Sequence, residues 1–249
     1  MFSKEFKPSF LLSKMRETIP IISQPRSIIV ACDVPYQDFS LILKGTKDND
    51  KVGGYKIPAR AVRKGLETWV RTAREIAPEK KLIYDHQKAG KDISSVADGF
   101  MKDVSESGID AVIIYPEIKT EIDYVEAALK YNLNVMVGGK MTNQEIGAKE
   151  DYEKAFDIYR IALKLGINNL CIPASNKKDR DFVTDLIETL KLKERKYITY
   201  YPIGIGHQGG SIGEISKILV DSNFHPIVGR TIYNSPDKQR AALDLTNQL

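Results

Sequence analysis

Five charged side chains stand at or just beyond the ends of short apolar runs in the first 92 residues. Asp33 closes SIIVACD, Lys56 lies in KVGGYKI, and Asp85, Lys88 and Asp92 fall within eight residues of one another in LIYDHQKAGKDI. Carboxylates and ammonium groups in alternation, brought into one pocket, form a buried charge network. Such a network is costly to desolvate unless it is nearly fully paired, so it signals a function that needs charge out of water. Strung along a solvated rim, the same residues make a salt-bridge ladder of little energetic worth. Spacing alone leaves both arrangements open.

A second cluster suits an anion. Residues 204–211 read GIGHQGGS and run into the helical pattern IGEISKILVDS. Glycines, Gly209 among them, let backbone approach a phosphate closely, and a helix start adds partial positive charge. Gln208 offers an amide donor. Gly229 and Arg230 follow the next apolar run, HPIVG, where a guanidinium can hold a phosphate through two parallel bonds. A glycine turn beside a surface ion pair is the plainer alternative, but the pairing of loop and arginine favours phosphate. His207 reads as a loop residue.

The elements that must position these groups are short β-branched or apolar runs alternating with amphipathic stretches. Strands are expected at 27–33, 51–57, 81–87, 111–116, 134–139, 168–173, 197–203 and 225–229. Helical patterns such as ARAVRKGLETWVRTAREIA, TEIDYVEAALKYN and YEKAFDIYRIALKLG lie between them. Eight such units predict a closed parallel (β/α)8 TIM barrel over residues 27–249, preceded by an arm at residues 1–26; an open doubly wound sheet is the alternative. Active sites of such barrels collect at the C-terminal strand ends, and phosphate sites between the loops after strands 7 and 8. Both clusters fall where that rule directs.

Composition narrows the class. The 249 residues are 42% hydrophobic and 28% charged, which excludes a disordered or collagen-like chain. Lys and Arg number 37 against 33 Asp and Glu, a surplus of +4 that suits an anionic metabolite and falls short of a nucleic-acid footprint. Cys32 and Cys171 are too far apart to suggest a redox pair or a metal knuckle. No apolar run approaches the roughly 20 residues that span a bilayer, and the N-terminus lacks a signal-peptide core. A cytoplasmic protein without membrane or nucleic-acid partners is expected.

On these residues the sequence resembles the orotidine 5′-phosphate decarboxylases, from strand 1 to strand 8. ACD matches the family's strand-1 aspartate at Asp33, and GYKIP its strand-2 lysine at Lys56. The run Asp85-His-Gln-Lys88-Ala-Gly-Lys-Asp92-Ile93 is similar to the family's Asp-x-Lys-x-x-Asp-Ile, with one extra residue in each interval. A spacing of three turns Lys88 away from Asp85 on a regular strand, so a bulge or the strand's end must absorb it. Lys91 is a rival for the lysine's role. KMTNQE supplies Thr142 where the family has a hydroxyl on the pyrimidine, and GIGHQGG with VGRTIY matches the phosphate end at Gln208 and Arg230.

The resemblance implies decarboxylation of orotidine 5′-monophosphate to uridine 5′-monophosphate in pyrimidine biosynthesis, with no metal or organic cofactor. Asp85 would face the departing carboxylate, and Lys88 would stabilise and protonate C6. Lys56 and Asp92 would hold the two in register. Asp33 and Lys56 would bind the ribose, Gln208 and Arg230 the phosphate. Asp92 would reach into a partner's site across a homodimer interface. A magnesium-dependent sugar-phosphate decarboxylase or hexulose-phosphate synthase of the same superfamily, and a non-catalytic nucleotide-binding barrel, are the competing readings.

Overall fold

The expected apolar runs become the staves of a closed barrel in the computed structural model, which describes residues 20–86, 92–142, 149–195 and 197–249. The strands are β1 (Ile28–Ala31), β2 (Val52–Pro58), β3 (Lys81–Asp85), β4 (Ala111–Ile114), β5 (Asn134–Gly138), β6 (Asn169–Pro173), β7 (Thr199–Ile203), β8 (Asn223–Phe224) and β9 (Ile227–Val228). They pair in parallel in chain order, and β9 returns to β1. β8 and β9 are two halves of the eighth stave. Pro226 between them has no N–H to donate, which interrupts the ladder, while its carbonyl still accepts from Ile29 at 2.9 Å.

Helices follow the strands: α1 (Tyr36–Thr46), α2 (Leu66–Ile76), α3 (Ala97–Glu106), α4 (Glu121–Lys130), α5 (Lys149–Lys164), α6 (Lys177–Thr189), α7 (Ile212–Ile218), α8 (Arg230–Tyr233) and α9 (Lys238–Thr246). The stretch expected as one helix over 59–77 is divided. A 3₁₀ turn at Ala59–Arg63 precedes α2, with Gly65 at φ 79° between them. Strand β3 stops at Asp85 rather than running to 87, and β7 starts two residues later than expected, after Tyr197 in the left-handed region at φ 72°.

Strand alternation sorts the buried side chains into two layers. Val30, Tyr55, Leu82 and Val112 point outward and pack beneath the helices, where Trp69 of α2 meets Tyr36 and Phe39 of α1 at ring distances of 5.4 and 4.6 Å. Ile29, Ile83, Ile113, Met136, Cys171 and Ile227 point inward and fill the barrel. Ile21 and Ile22, ahead of β1, join this inner set and add to it from below the first strand. Each such side chain contributes on the order of 1.5–3 kcal/mol by leaving water. Cys32 and Cys171 are both buried and free, one in each layer. Among the described residues no helix is long and apolar enough to cross a membrane.

One buried group opposes the fold at neutral pH. Glu121, in the first turn of α4, is fully buried, and neither carboxylate oxygen has a partner among the described residues. A helix N-terminus favours a carboxylate, but burial dominates and pushes Glu121 up to about 8. With the folded value above the ordinary 4.5, its stabilisation is complete below pH 4.5 and is lost as pH rises through 8. The whole difference amounts to roughly 5 kcal/mol. Denaturant unfolding at pH 5 and pH 8 should show Glu121→Gln retaining stability that the wild type loses; parallel slopes in the two proteins would contradict this.

Candidate functional site

The inward alternation carries charged residues to the mouth of the barrel. Ala31, Lys56 and Ile83 are paired neighbours on β1, β2 and β3, and Asp33 and Asp85 each stand two residues further along their strands. Lys56 therefore sits one step below two carboxylates on either side of it, with a stem long enough to reach both. Its Nζ lies 2.6 Å from Asp85 Oδ2 and 3.2 and 3.3 Å from the two oxygens of Asp33. Lys56 and Asp85 are each only 6% exposed, whereas the Asp33 side chain is 45% exposed. The network is thus buried on one side and wet on the other. The surface-ladder alternative does not describe it.

Burial alone would push the Lys56 ammonium down; Asp85, and after it Asp33, outweigh that and hold it above its usual range. Lys56 is a fixed cation. Asp85 has that cation on Oδ2, while its buried Oδ1 has no partner among the described residues. A buried acceptor left without a donor costs about 1–3 kcal/mol, so this oxygen is a place where a ligand group would be received.

Asp33, Lys56 and Asp85 line a cleft of about 140 Å³ that opens to solvent. Tyr115 follows β4 at the next inward position and lines the same cleft. It packs against Gly138 so closely that any side chain there would enter the Tyr115 ring. Burial pushes the Tyr115 phenol well above its usual range, so the hydroxyl stays protonated. Ile113, Met141, Ile203 and Ile227 add apolar surface around the cleft.

The glycine loop after β7 closes the other side. Gly206 N–H donates to Gly210 O at 2.8 Å, Gly209 N–H to Gly206 O at 2.7 Å and Gly210 N–H to Gly204 O at 3.1 Å. These glycine amides are committed within the loop, and Gly209 is not among the residues that line the cleft. Side-chain donors also face the cleft. Gln208 and Arg230 both line it, with Thr142 and Gly229, and neither the Gln208 amide group nor the Arg230 guanidinium has a hydrogen-bond or ion-pair partner among the described residues. The surface ion pair that would have made Arg230 unremarkable is not formed with any described carboxylate. Gly204 carries a φ of +88°, and a Cβ there would lie 2.8 Å from Ser175 Cβ and Thr142 Cγ2, so the loop is pressed against its neighbours on both sides.

Asp33, Lys56, Asp85, Thr142, Gln208, Gly229 and Arg230 all line this one cleft. Asp92 does not line it. The residue is exposed, and its Oδ1 accepts from the N–H of Ile93 at 2.7 Å. Lys88 and its rival Lys91 lie outside the described residues. His86, next to Asp85, turns outward and meets Tyr84 and Phe100 edge-on. Three cleft residues were not singled out from sequence. Tyr115 was accessible as the third inward position after Ala111 and Ile113. Tyr233 lies three residues after Arg230, on the same helical face; burial raises its phenol, with Asp33 adding to the effect. His207 lines the cleft and was read as loop.

No family model matches the chain, and no curated protein sequence matches it. Solved structures do match in shape. The orotidine 5′-monophosphate decarboxylase of Methanocaldococcus jannaschii, complexed with the inhibitor BMP, superposes with a TM-score of 0.74 at 23% identity, over 90% of this chain and 98% of that one. The orotidine 5′-phosphate decarboxylase of Pyrococcus horikoshii OT3 gives 0.70 at 22% identity over 89% and 98%. A further M. jannaschii structure gives 0.69 at 20% over 89% and 98%. At these identities the likeness is one of fold: the chain is a (β/α)8 barrel of the architecture these decarboxylases have.

The charge geometry predicts unequal costs. Lys56→Met leaves the Asp85 carboxylate buried without its cation and should cost roughly 3–5 kcal/mol in urea unfolding at pH 7. Asp33→Asn, at the wet end, should cost less than about 1 kcal/mol. Equal losses in the two variants would mean that Asp85 does not depend on Lys56.

Proposed function

We propose that this chain decarboxylates orotidine 5′-monophosphate to uridine 5′-monophosphate. The observation that carries the reading is the arrangement of one cleft. An Asp33–Lys56–Asp85 chain, buried at Lys56 and Asp85, stands on its strand 1–3 side, and an uncommitted Gln208 amide and Arg230 guanidinium on its strand 7–8 side. The second pair suits a phosphate, the first a ribose and a charged reacting centre, and the apolar wall between them a pyrimidine.

In this reading the substrate carboxylate lies against the free oxygen of Asp85. Repulsion between the two carboxylates is relieved as the C6–carboxylate bond breaks, carbon dioxide leaves, and the electron pair remains on C6. Lys88 is assigned the adjoining role, offsetting the charge at C6 and then transferring its ammonium proton there, which yields uridine 5′-monophosphate. Lys56 keeps Asp85 in place and reaches toward the ribose with Asp33. Phosphate binding at Gln208 and Arg230 supplies energy remote from the reacting carbon. Asp92, exposed beside Ile93 and Val96 at 64% and 40% exposure, is assigned to the site of a second copy in a homodimer. The setting is pyrimidine biosynthesis in the cytoplasm.

Loss of orotidylate absorbance, followed with and without a chelator, tests the reaction. Turnover indifferent to the chelator is expected. Tight uridine 5′-monophosphate binding without turnover, or turnover that the chelator abolishes, would overturn it in favour of a binding barrel or a metal-dependent relative. Lys88→Ala should lower kcat by about 10²–10⁴-fold while calorimetry still detects product binding; near-normal turnover would remove Lys88 from the mechanism. Arg230→Met should weaken product binding about 10–100-fold. Light scattering should give twice the 28.0 kDa of one chain.

A further inference from the structure

A second buried charge pair stands behind the cleft, outside the network already described. Lys140, just after β5, is 5% exposed, and Asp179, in the first turn of α6, is 1% exposed. Lys140 Nζ donates to Asp179 Oδ1. The other oxygen of Asp179 accepts from the Ser175 N–H at 2.9 Å and from the Ser175 hydroxyl. Asn176 completes the set: its Oδ1 accepts from Asp179 N–H at 3.0 Å, and its amide donates to Ser175 Oγ at 3.0 Å. Both carboxylate oxygens are therefore satisfied, the condition under which a buried polar network gives rigidity.

The position of this network gives it a use. Lys140 immediately precedes Met141 and Thr142, which line the cleft. Ser175 and Thr142 are the two side chains that bracket Gly204 at the root of the glycine loop. One carboxylate thus ties together the loop after β5, the loop after β6 and the backing of the loop after β7. Arg180, on the same helix, reaches Glu214 of α7 at 2.9 Å and ties down the far end of the glycine loop. None of these groups touches the cleft's own charge chain.

We infer that Lys140 and Asp179 are positioning residues that hold Thr142 in place and fix the glycine loop in the arrangement that receives the ligand's phosphate. The inference rests on the proposed nucleotide reading of the cleft. Removing the pair's charges should loosen phosphate binding, because Ser175 loses its acceptor and the wall it forms against Gly204 is no longer anchored. The Asp33–Lys56–Asp85 chain stays as it is.

The test uses full-length wild type, Ser175→Ala, and the paired variant Lys140→Met with Asp179→Leu, which leaves no lone buried charge. Calorimetry measures uridine 5′-monophosphate binding, and thermal unfolding is followed in parallel. In Ser175→Ala the dissociation constant should rise about threefold to tenfold with little change in melting temperature. In the paired variant it should rise at least about tenfold even where thermal stability is regained, since apolar replacement of a buried pair often restores stability. In turnover the effect should appear in KM more than in kcat. Wild-type affinity in the paired variant would make the pair merely structural and overturn the inference. If the paired variant does not fold, Ser175→Ala decides alone, and unchanged affinity there overturns it equally. Wild type that binds the nucleotide without decarboxylating orotidylate removes the proposed reaction and leaves the positioning result standing. Wild type with no affinity for the nucleotide or for inorganic phosphate removes both.

Discussion

A single ammonium group buried at the mouth of the barrel organises the site. Lys56 is drawn out of water by the strand that carries it, and the cost is offset because carboxylates rise from the strands on both sides. That arrangement depends on parallel pairing in register. β1, β2 and β3 align Ala31, Lys56 and Ile83, so the residues two further along face the same space. Because Asp33 opens to solvent and Asp85 does not, the network has a wet entrance and a dry end, and the dry end holds the unpartnered oxygen. Charge of this kind in a desolvated place interacts strongly with whatever enters.

The remaining parts of the cleft follow from closing the sheet. Closure brings β9 beside β1, which sets Arg230 and Tyr233 on the same opening as Asp33. Three glycine amides of the loop are committed to its internal turns, so the loop acts as a shaped wall, and the side chains of Gln208 and Arg230 offer donors to an anion. Its shape is set from behind by Thr142 and Ser175, and these in turn by the buried Lys140–Asp179 pair. Two charge networks thus divide the work: one faces the ligand, and the other fixes the loops.

Much of the candidate site was legible before any coordinates. Asp33, Lys56, Asp85, Gly229 and Arg230 were marked by their places at strand ends, Gln208 by the glycine loop and Thr142 by the family resemblance, and they line one cleft. The strand-3 region was legible only to Asp85. Beyond it, the extra residues between acid and base break the period of two, and spacing no longer says which way a side chain turns. Asp92 lies on the surface, outside the cleft of its own chain. Tyr115 was overlooked for another reason. An aromatic near a strand end reads as core until Gly138 opposite it is seen to leave its ring room at the cleft.

By itself the sequence determined the alternation of strands and helices, the turn of successive side chains to opposite faces of each strand, and the residue types offered at the strand ends. Those properties are local, set by a repeat of two along a strand and by glycine and proline in the connections. Only the tertiary structure decided which inward residues share a layer, that Lys56 holds two carboxylates at once, and that Lys140 meets Asp179 across 39 positions of chain. Those facts depend on strand register and on the tilt with which the barrel closes. Neither is written in the spacing of any one segment, because each is settled by the packing of all eight staves together.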